Sequence, residues 1–223
     1  MENHIVKIKS ISPVTHNVNR YIIDKPENYD FIPGQATEVS INKDGWKDEK
    51  RPFTFTCLPE DDHLEFTIKS YTDHKGVTNE LLTLNPGDEL IIAEVFGAIN
   101  YDNEGVFVAG GAGVTPFVAI LRDLHSQGKM GNNKLIFANK TRNDIIYEEE
   151  FQNMLGDNFV NVLSEEKAEE FKHGYIDEII LKENRVYNAK NVYLCGPPSM
   201  MDSMMKLFEK LGIEEEKIVT EDM

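Results

Sequence analysis

Residues 106–116 read Val-Phe-Val-Ala-Gly-Gly-Ala-Gly-Val-Thr-Pro. Four apolar residues bounded by glycine are the mark of a strand buried on both faces. Thr115-Pro116 reads as a helix N-cap followed by proline in the first turn, and Gly128 reads as the stop of that helix. A buried strand that turns through glycines into a helix is a unit of a parallel α/β sheet. Glycines also let backbone approach a ligand, and a helix start offers free N–H groups to an anion such as a pyrophosphate. The spacing is not Gly-x-Gly-x-x-Gly, so a glycine-rich turn of an α/β fold remains the plainer alternative.

Downstream the same rhythm continues. Strands are expected at 135–138, 159–163, 192–195 and 218–220, with helices at 147–155, 176–181 and 198–211, the last stopped by Gly212. Upstream, short β-rich runs at 5–8, 21–23, 37–41, 53–56 and 64–68 are punctuated by Pro33-Gly34, Asp44-Gly45 and Pro86-Gly87-Asp88. The run at 64–68 alternates apolar and polar residues, as a half-buried strand does. The expected fold has two domains. An antiparallel Greek-key β-barrel over 1–100 is followed by a doubly wound parallel-sheet α/β domain over 104–223, joined by a linker at 99–104.

Three further motifs carry chemistry. Cys195-Gly196-Pro197-Pro198 ends one parallel strand and opens a helix, so it falls on the same rim as Gly110 to Pro116. Cysteine there is by itself a small buried hydrophobe, and the methionines that follow, Met200, Met201, Met204 and Met205, read as core. Arg51-Pro52-Phe53-Thr54 opens a barrel strand and offers a guanidinium, a ring and a hydroxyl together. Lys75-Gly76-Val77-Thr78 precedes an apolar stretch and reads either as a phosphate-binding helix start or as a hairpin loop leading into a helix.

Taken in order, these motifs resemble the ferredoxin–NADP reductase superfamily, whose members carry Arg-x-Tyr-Ser/Thr, Gly-x-x-Ser/Thr, Gly-Gly-x-Gly-x-Thr-Pro and Cys-Gly-Pro. Phe31-Ile32-Pro33-Gly34-Gln35 and Pro86-Gly87-Asp88 are similar to its barrel landmarks, so the resemblance covers nearly the whole chain. It implies an oxidoreductase that takes hydride from NADH or NADPH onto FAD and passes electrons to a separate acceptor such as a flavodoxin or ferredoxin. The alternative is an electron-transfer flavin subunit of a larger redox complex. By resemblance, Arg51 and Pro52 lie on FAD, Phe53 packs beside its ring, and Thr54 sits near the hydride-accepting atom. Ile68, Lys69, Lys75, Gly76, Val77 and Thr78 extend the FAD contacts. Gly111, Gly113 and Thr115 line the nicotinamide dinucleotide site, with Cys195, Gly196 and Pro197 near the reacting ring. Thr54, Cys195 and Glu221 form the expected catalytic set.

Two departures stand out. Phe53 replaces the usual tyrosine, and Glu221 matches a C-terminal glutamate of the relatives without the aromatic that often follows it. Donor preference turns on Asn139-Lys140-Thr141-Arg142. Lys140 and Arg142 are candidates for the extra phosphate of NADPH, yet the segment 137–146 is also similar to NADH-using cytochrome b5 reductases, and the choice stays open.

Composition narrows the classes. A formal net charge of −16 argues against nucleic acid and anionic lipid as partners. Two cysteines cannot supply a four-cysteine iron–sulfur or zinc site, so no metal is expected. No apolar run is long enough to cross a bilayer and the first residues lack a signal-peptide layout, so a cytoplasmic protein is expected.

Overall fold

The structure, a computed structural model, describes residues 3–72, 75–97 and 99–221. Six strands build the first sheet: β1 (His4–Thr15), β2 (Val18–Asp24), β3 (Ala36–Ile41), β4 (Arg51–Thr54), β5 (His63–Lys69) and β6 (Glu89–Phe96). All pair antiparallel, in the order β4-β3-β6-β1-β2-β5. A bridge between Phe55 and Phe66 then joins the two edges, so the sheet curls into a barrel and covers its own edges. Its interior is filled by Ile8, Tyr21, Ile23, Val39, Phe55, Phe66 and their neighbours. A one-turn helix, α1 (Val77–Glu80), packs Val77 and Leu81 into that interior.

The second sheet is parallel throughout, in the order β10-β9-β8-β7-β11-β12. Its strands are β7 (Gly105–Gly110), β8 (Lys134–Asn139), β9 (Phe159–Leu163), β10 (Lys172–His173), β11 (Asn191–Cys195) and β12 (Ile218–Thr220). The helices between them are α2 (Thr115–Ser126), α3 (Glu148–Leu155), α4 (Glu178–Glu183) and α5 (Pro198–Lys210). Alternate residues of each strand face opposite layers. Phe107, Leu135, Phe137 and Tyr193 pack with α2 and α3, whereas Val108, Ile136, Val162 and Leu194 pack with α4 and α5. Every residue of β7 is buried, as expected of a central parallel strand. Chain order reverses between β7 and β11, and in doubly wound sheets the crevice at that switch point, beyond the carboxyl ends, takes ligands.

Besides the added strand β10, the fold differs from the sequence reading in four places that bear on the site. Thr115 is not an N-cap: Val114 holds that position after a 3₁₀ turn at Gly111–Val114, and the Thr115 hydroxyl donates to Ala112 O at 3.0 Å. Helix α3 starts one residue late because Tyr147 has φ +55°, which a right-handed helix excludes. Helix α4 starts at Glu178, capped by Asp177, whose Oδ1 accepts from Ile180 N at 2.8 Å. Most telling, β5 is not half-exposed: its polar residues Glu65 and Thr67 are each only 5% exposed.

What covers them is the second sheet's own layer. Arg122, on α2, donates from Nη1 to Glu65 Oε1 at 2.7 Å and to Thr56 O at 2.6 Å. The same guanidinium donates to both oxygens of Glu150 on α3, at 2.6 and 2.9 Å. Burial pulls the Arg122 pKa down, but the carboxylates of Glu150 and Glu65 outweigh it, and the net effect is to hold the charge more firmly. Arg122 also lies 4.8 Å above the Tyr147 ring, whose hydroxyl is 2.8 Å from Thr67 Oγ1. Gly34 completes the junction: with φ +101°, a Cβ there would strike Ile99 O and come within 3.1 Å of Ile120 Cδ1. The barrel and the α/β unit therefore meet through a polar seam, one close backbone contact and an apolar patch, where Val18 of β2 joins the α/β core and Val14 of β1 packs against it.

Candidate functional site

Two glycine-bearing turns meet at the switch point. A Cβ on Gly113 would lie 2.5 Å from Cys195 O and 2.6 Å from Gly196 Cα, so only glycine permits this approach. Gly110 and Gly196 are held less strictly, since a Cβ on either would first meet the movable Met200 Sδ, with Pro197 Cδ 3.0 Å from that of Gly110. These three glycines bring the two turns together, and Gly110 and Gly113 also line the clefts they border. Gly111 is different: its φ is +52° and nothing lies within 4 Å of where its Cβ would be, so its open side faces a ligand-sized space.

A cleft of about 670 Å³ opens between barrel and α/β unit. Its barrel wall carries Pro52, Phe53 and Thr54 of β4, Thr67, Ile68 and Lys69 of β5, and Thr78. Its other wall carries Ala112, Gly113, Thr115, Pro116, Cys195 and Glu221. Thr54 is buried at the floor, and the Phe53 ring packs 6.3 Å from Phe66. Burial, reinforced by the charge of Glu221, pushes the Cys195 thiol up to about 12, so it stands in the cleft as a neutral thiol. Burial likewise raises the Glu221 carboxyl.

A second cleft of about 710 Å³ runs along the carboxyl rim of the parallel sheet. Gly110, Gly111, Pro197 and Met200 line one end, and Asn139, Lys140, Ser164, Glu165 and Tyr175 the other. Lys69 lines both clefts, which places them end to end. The Lys140 ammonium lies 3.1 Å from Glu165 Oε1, and that carboxylate raises its pKa.

The structure thus gathers ten of the residues singled out from sequence into the first cleft: Pro52, Phe53, Thr54, Ile68, Lys69, Thr78, Gly113, Thr115, Cys195 and Glu221. Gly111, Lys140 and Pro197 join Lys69 in the second. Others stand apart. Arg51 is exposed at the start of β4, with Nη1 donating to Lys50 O at 2.6 Å. Val77 is core, Gly76 is ordinary extended backbone at φ −130°, Lys75 is exposed, and Gly196 supports the turn without lining it. Arg142 does not reach either cleft: it pairs with Glu148 at 3.0 Å and Glu170 at 3.5 Å and lies over the Phe171 ring. Met201 and Met204 are buried core and Met200 and Met205 pack half-buried against it, as read from sequence, while Met200 and Met204 also line the second cleft.

Sequence reading missed three aromatics. Tyr71 is 51% exposed and Phe96 45%, and both line the first cleft; Tyr175, 82% exposed, lines the second. Tyr71 follows β5 by two residues and Phe96 ends β6, so the usable signal was a large apolar side chain at the open end of a strand.

A barrel and a doubly wound sheet sharing an interdomain cleft form a two-domain architecture with a ligand crevice at the switch point. Residues 107–206 match the oxidoreductase NAD-binding domain family. The chain is 27% identical to the propane 2-monooxygenase reductase component of Rhodococcus jostii, over 95% of its own length and 61% of that protein. It is 30% identical to one subunit of the Na(+)-translocating NADH-quinone reductase of Yersinia pestis, over 66% of its own length and 40% of that relative. It therefore spans only about four to six tenths of these curated relatives. A ferredoxin NADP+ reductase from Neisseria gonorrhoeae, solved with bound FAD and NADP, superposes with a TM-score of 0.83 at 18% identity, covering 99% of this chain and 98% of that one. Residues 107–206 thus form an oxidoreductase NAD-binding domain, and the whole chain shares the two-domain fold of that FAD- and NADP-bound reductase. No helix among the described residues is long and apolar enough to cross a membrane.

Proposed function

We propose that this chain takes hydride from NADH and passes the electrons, through FAD held in the first cleft, to a separate protein acceptor. The observation that carries this reading is the shared space between Thr54 on the barrel and Cys195 on the sheet, continuous through Lys69 with the rim cleft. The residues present fit a flavin. Phe96 and Tyr71 leave apolar ring surface bare in a slot, which suits a planar aromatic guest. Thr54 and Thr78 supply hydroxyls and Lys69 a positive charge in the cleft, while Arg51 and Lys75, exposed outside its lining, would have to turn toward a pyrophosphate to hold it. FAD, when bound, accepts hydride and releases electrons singly or in pairs. Residues 1–100 hold it in this reading, and residues 104–223 hold the dinucleotide over Gly111, Gly113 and Thr115. Cys195, Gly196 and Pro197 back the nicotinamide end, and Phe96 and Tyr71 take the shielding role that the C-terminal aromatic of relatives fills.

NADH is favoured over NADPH because the cations once eligible for the extra phosphate are already engaged: Lys140 by Glu165, and Arg142 by Glu148 and Glu170. An incoming phosphate would meet those carboxylates as well. The acceptor is a redox protein, and the cytoplasmic placement expected from sequence belongs to this reading. A second reading, a reductase subunit working inside a larger assembly, is supported by two relatives, one a reductase component and the other a subunit of a quinone reductase.

Anaerobic titration of the FAD-loaded protein with NADH and, separately, NADPH tests the proposal. Bleaching of the visible flavin band by NADH at concentrations at least tenfold below those needed for NADPH is expected. Failure to bind FAD would remove the proposal, and bleaching by neither nucleotide would move the subunit reading ahead.

A further inference from the structure

The polar seam between the two units has a geometry that bears on the cleft. Arg122 stands on α2, the helix whose first turn, Thr115 and Pro116, forms part of one cleft wall. Its partner Glu65 stands on β5, whose far end, Thr67 to Lys69, forms part of the opposite wall. From Arg122 back to Thr115 is seven residues of helix, about 10 Å. From Glu65 forward to Ile68 is three residues of strand, also about 10 Å. Two rigid arms of equal length thus diverge from one ion pair to the two faces of the cleft. A second strut ties them closer to the opening: Tyr147, under the Arg122 guanidinium, reaches Thr67 Oγ1 at 2.8 Å.

The guanidinium is preset from its own side. Glu150 accepts from Nε and Nη2 and fixes the fork, leaving Nη1 to span to Glu65 and Thr56 O. Glu65 is preset from the barrel side by the Thr56 hydroxyl at 2.8 Å and, at 3.9 Å, by Arg20. Both halves are held ready before they meet, which is what a fixed spacing requires and what a surface ion pair lacks.

We infer that Arg122 is a positioning residue for hydride transfer: its fork to Glu65 and Thr56 sets the width of the interdomain cleft and so the alignment of donor on acceptor. This rests on the proposed oxidoreductase reading. A misplacement of about 1 Å in a near-attack geometry costs roughly a hundredfold in rate. Arg122 touches neither cleft lining, so its effect is on rate and alignment, not on nucleotide contacts.

The test is stopped-flow reduction of the FAD-loaded Arg122→Met and Arg122→Lys variants by NADH, with the long-wavelength flavin–nicotinamide charge-transfer absorbance recorded alongside. Arg122→Met is expected to slow reduction at saturating NADH about tenfold to a hundredfold and to diminish that absorbance, with FAD still bound. Arg122→Lys, which keeps charge but loses the fork, should recover only part. Reduction at the wild-type rate with an unchanged band overturns the inference. If Arg122→Met does not fold, Glu65→Gln is read the same way, and a wild-type rate there overturns it equally. Amide hydrogen exchange along β5 and the first turns of α2 and α3 in the same variants reads the seam without chemistry. Unchanged protection there in a folded Arg122→Met protein counts against the role of Arg122 even if wild type proves not to react with NADH, whereas that failure to react counts only against the reductase reading.

Discussion

Gly113 and Gly76 sit in motifs that look alike on paper and do unlike work in the fold. At Gly113 a methyl group would meet Cys195 O at 2.5 Å and Gly196 Cα at 2.6 Å, and those are backbone atoms that cannot swing away. Gly113→Ala is therefore expected to force the two turns apart, costing about 1–3 kcal/mol in urea unfolding, and to weaken nucleotide binding in the same preparation. Gly76→Ala, at φ −130° with open space around it, should leave stability within about 0.5 kcal/mol of wild type. Sequence could name both glycines but not separate them, because the reason for Gly113 is a loop more than eighty positions away. Cys195 was legible as a residue on the rim; its neutral, high-pKa state depends on burial and on Glu221 on the same wall of the cleft, and neither is visible in a linear motif. The bare aromatics Tyr71 and Phe96 escaped notice for the converse reason: from sequence, an aromatic at a strand end looks like core.

At the scale of elements, the parallel strands were the easiest to read, since β7 and β11 are continuous apolar runs that end in glycine turns. Boundaries shifted where tertiary contacts overrode local preference. Tyr147 leaves the helical region because its ring is committed to Arg122 and its hydroxyl to Thr67. The alternation in β5 was read correctly as alternation and wrongly as exposure, because a polar face can be covered by another domain's charges as well as by water. Helix α4 shows the local rules at work. Asp177 caps it through Ile180 N, and the residues just before the cap, Tyr175 and Ile176, line the rim cleft. Asp177→Ala should lower stability by about 1 kcal/mol in chemical denaturation and slightly weaken dinucleotide affinity, by letting that corner fray.

For the whole molecule, 39 acidic against 23 basic side chains set a long-range field that any protein acceptor must cross. Electron transfer to a basic test acceptor such as a small cationic cytochrome should slow as ionic strength rises from about 0.01 to 0.15 M, and transfer to an acidic iron–sulfur carrier should quicken over the same range. Equal salt dependence for both would mean that a local patch, not net charge, governs docking. The two-unit plan was legible from the change of rhythm near residue 104, but the seam was not, since Glu65 and Arg122 carry no local signal that they belong together. The cleft itself draws on residues from Ala36 to Glu221, with nearly every wall segment supplied by a different part of the chain. A chain emerging from the ribosome therefore offers its barrel wall, complete by Gly97, while the facing wall waits until the strand before Glu221 has been synthesised, so the closed cleft is an event of completed folding rather than a guide to it.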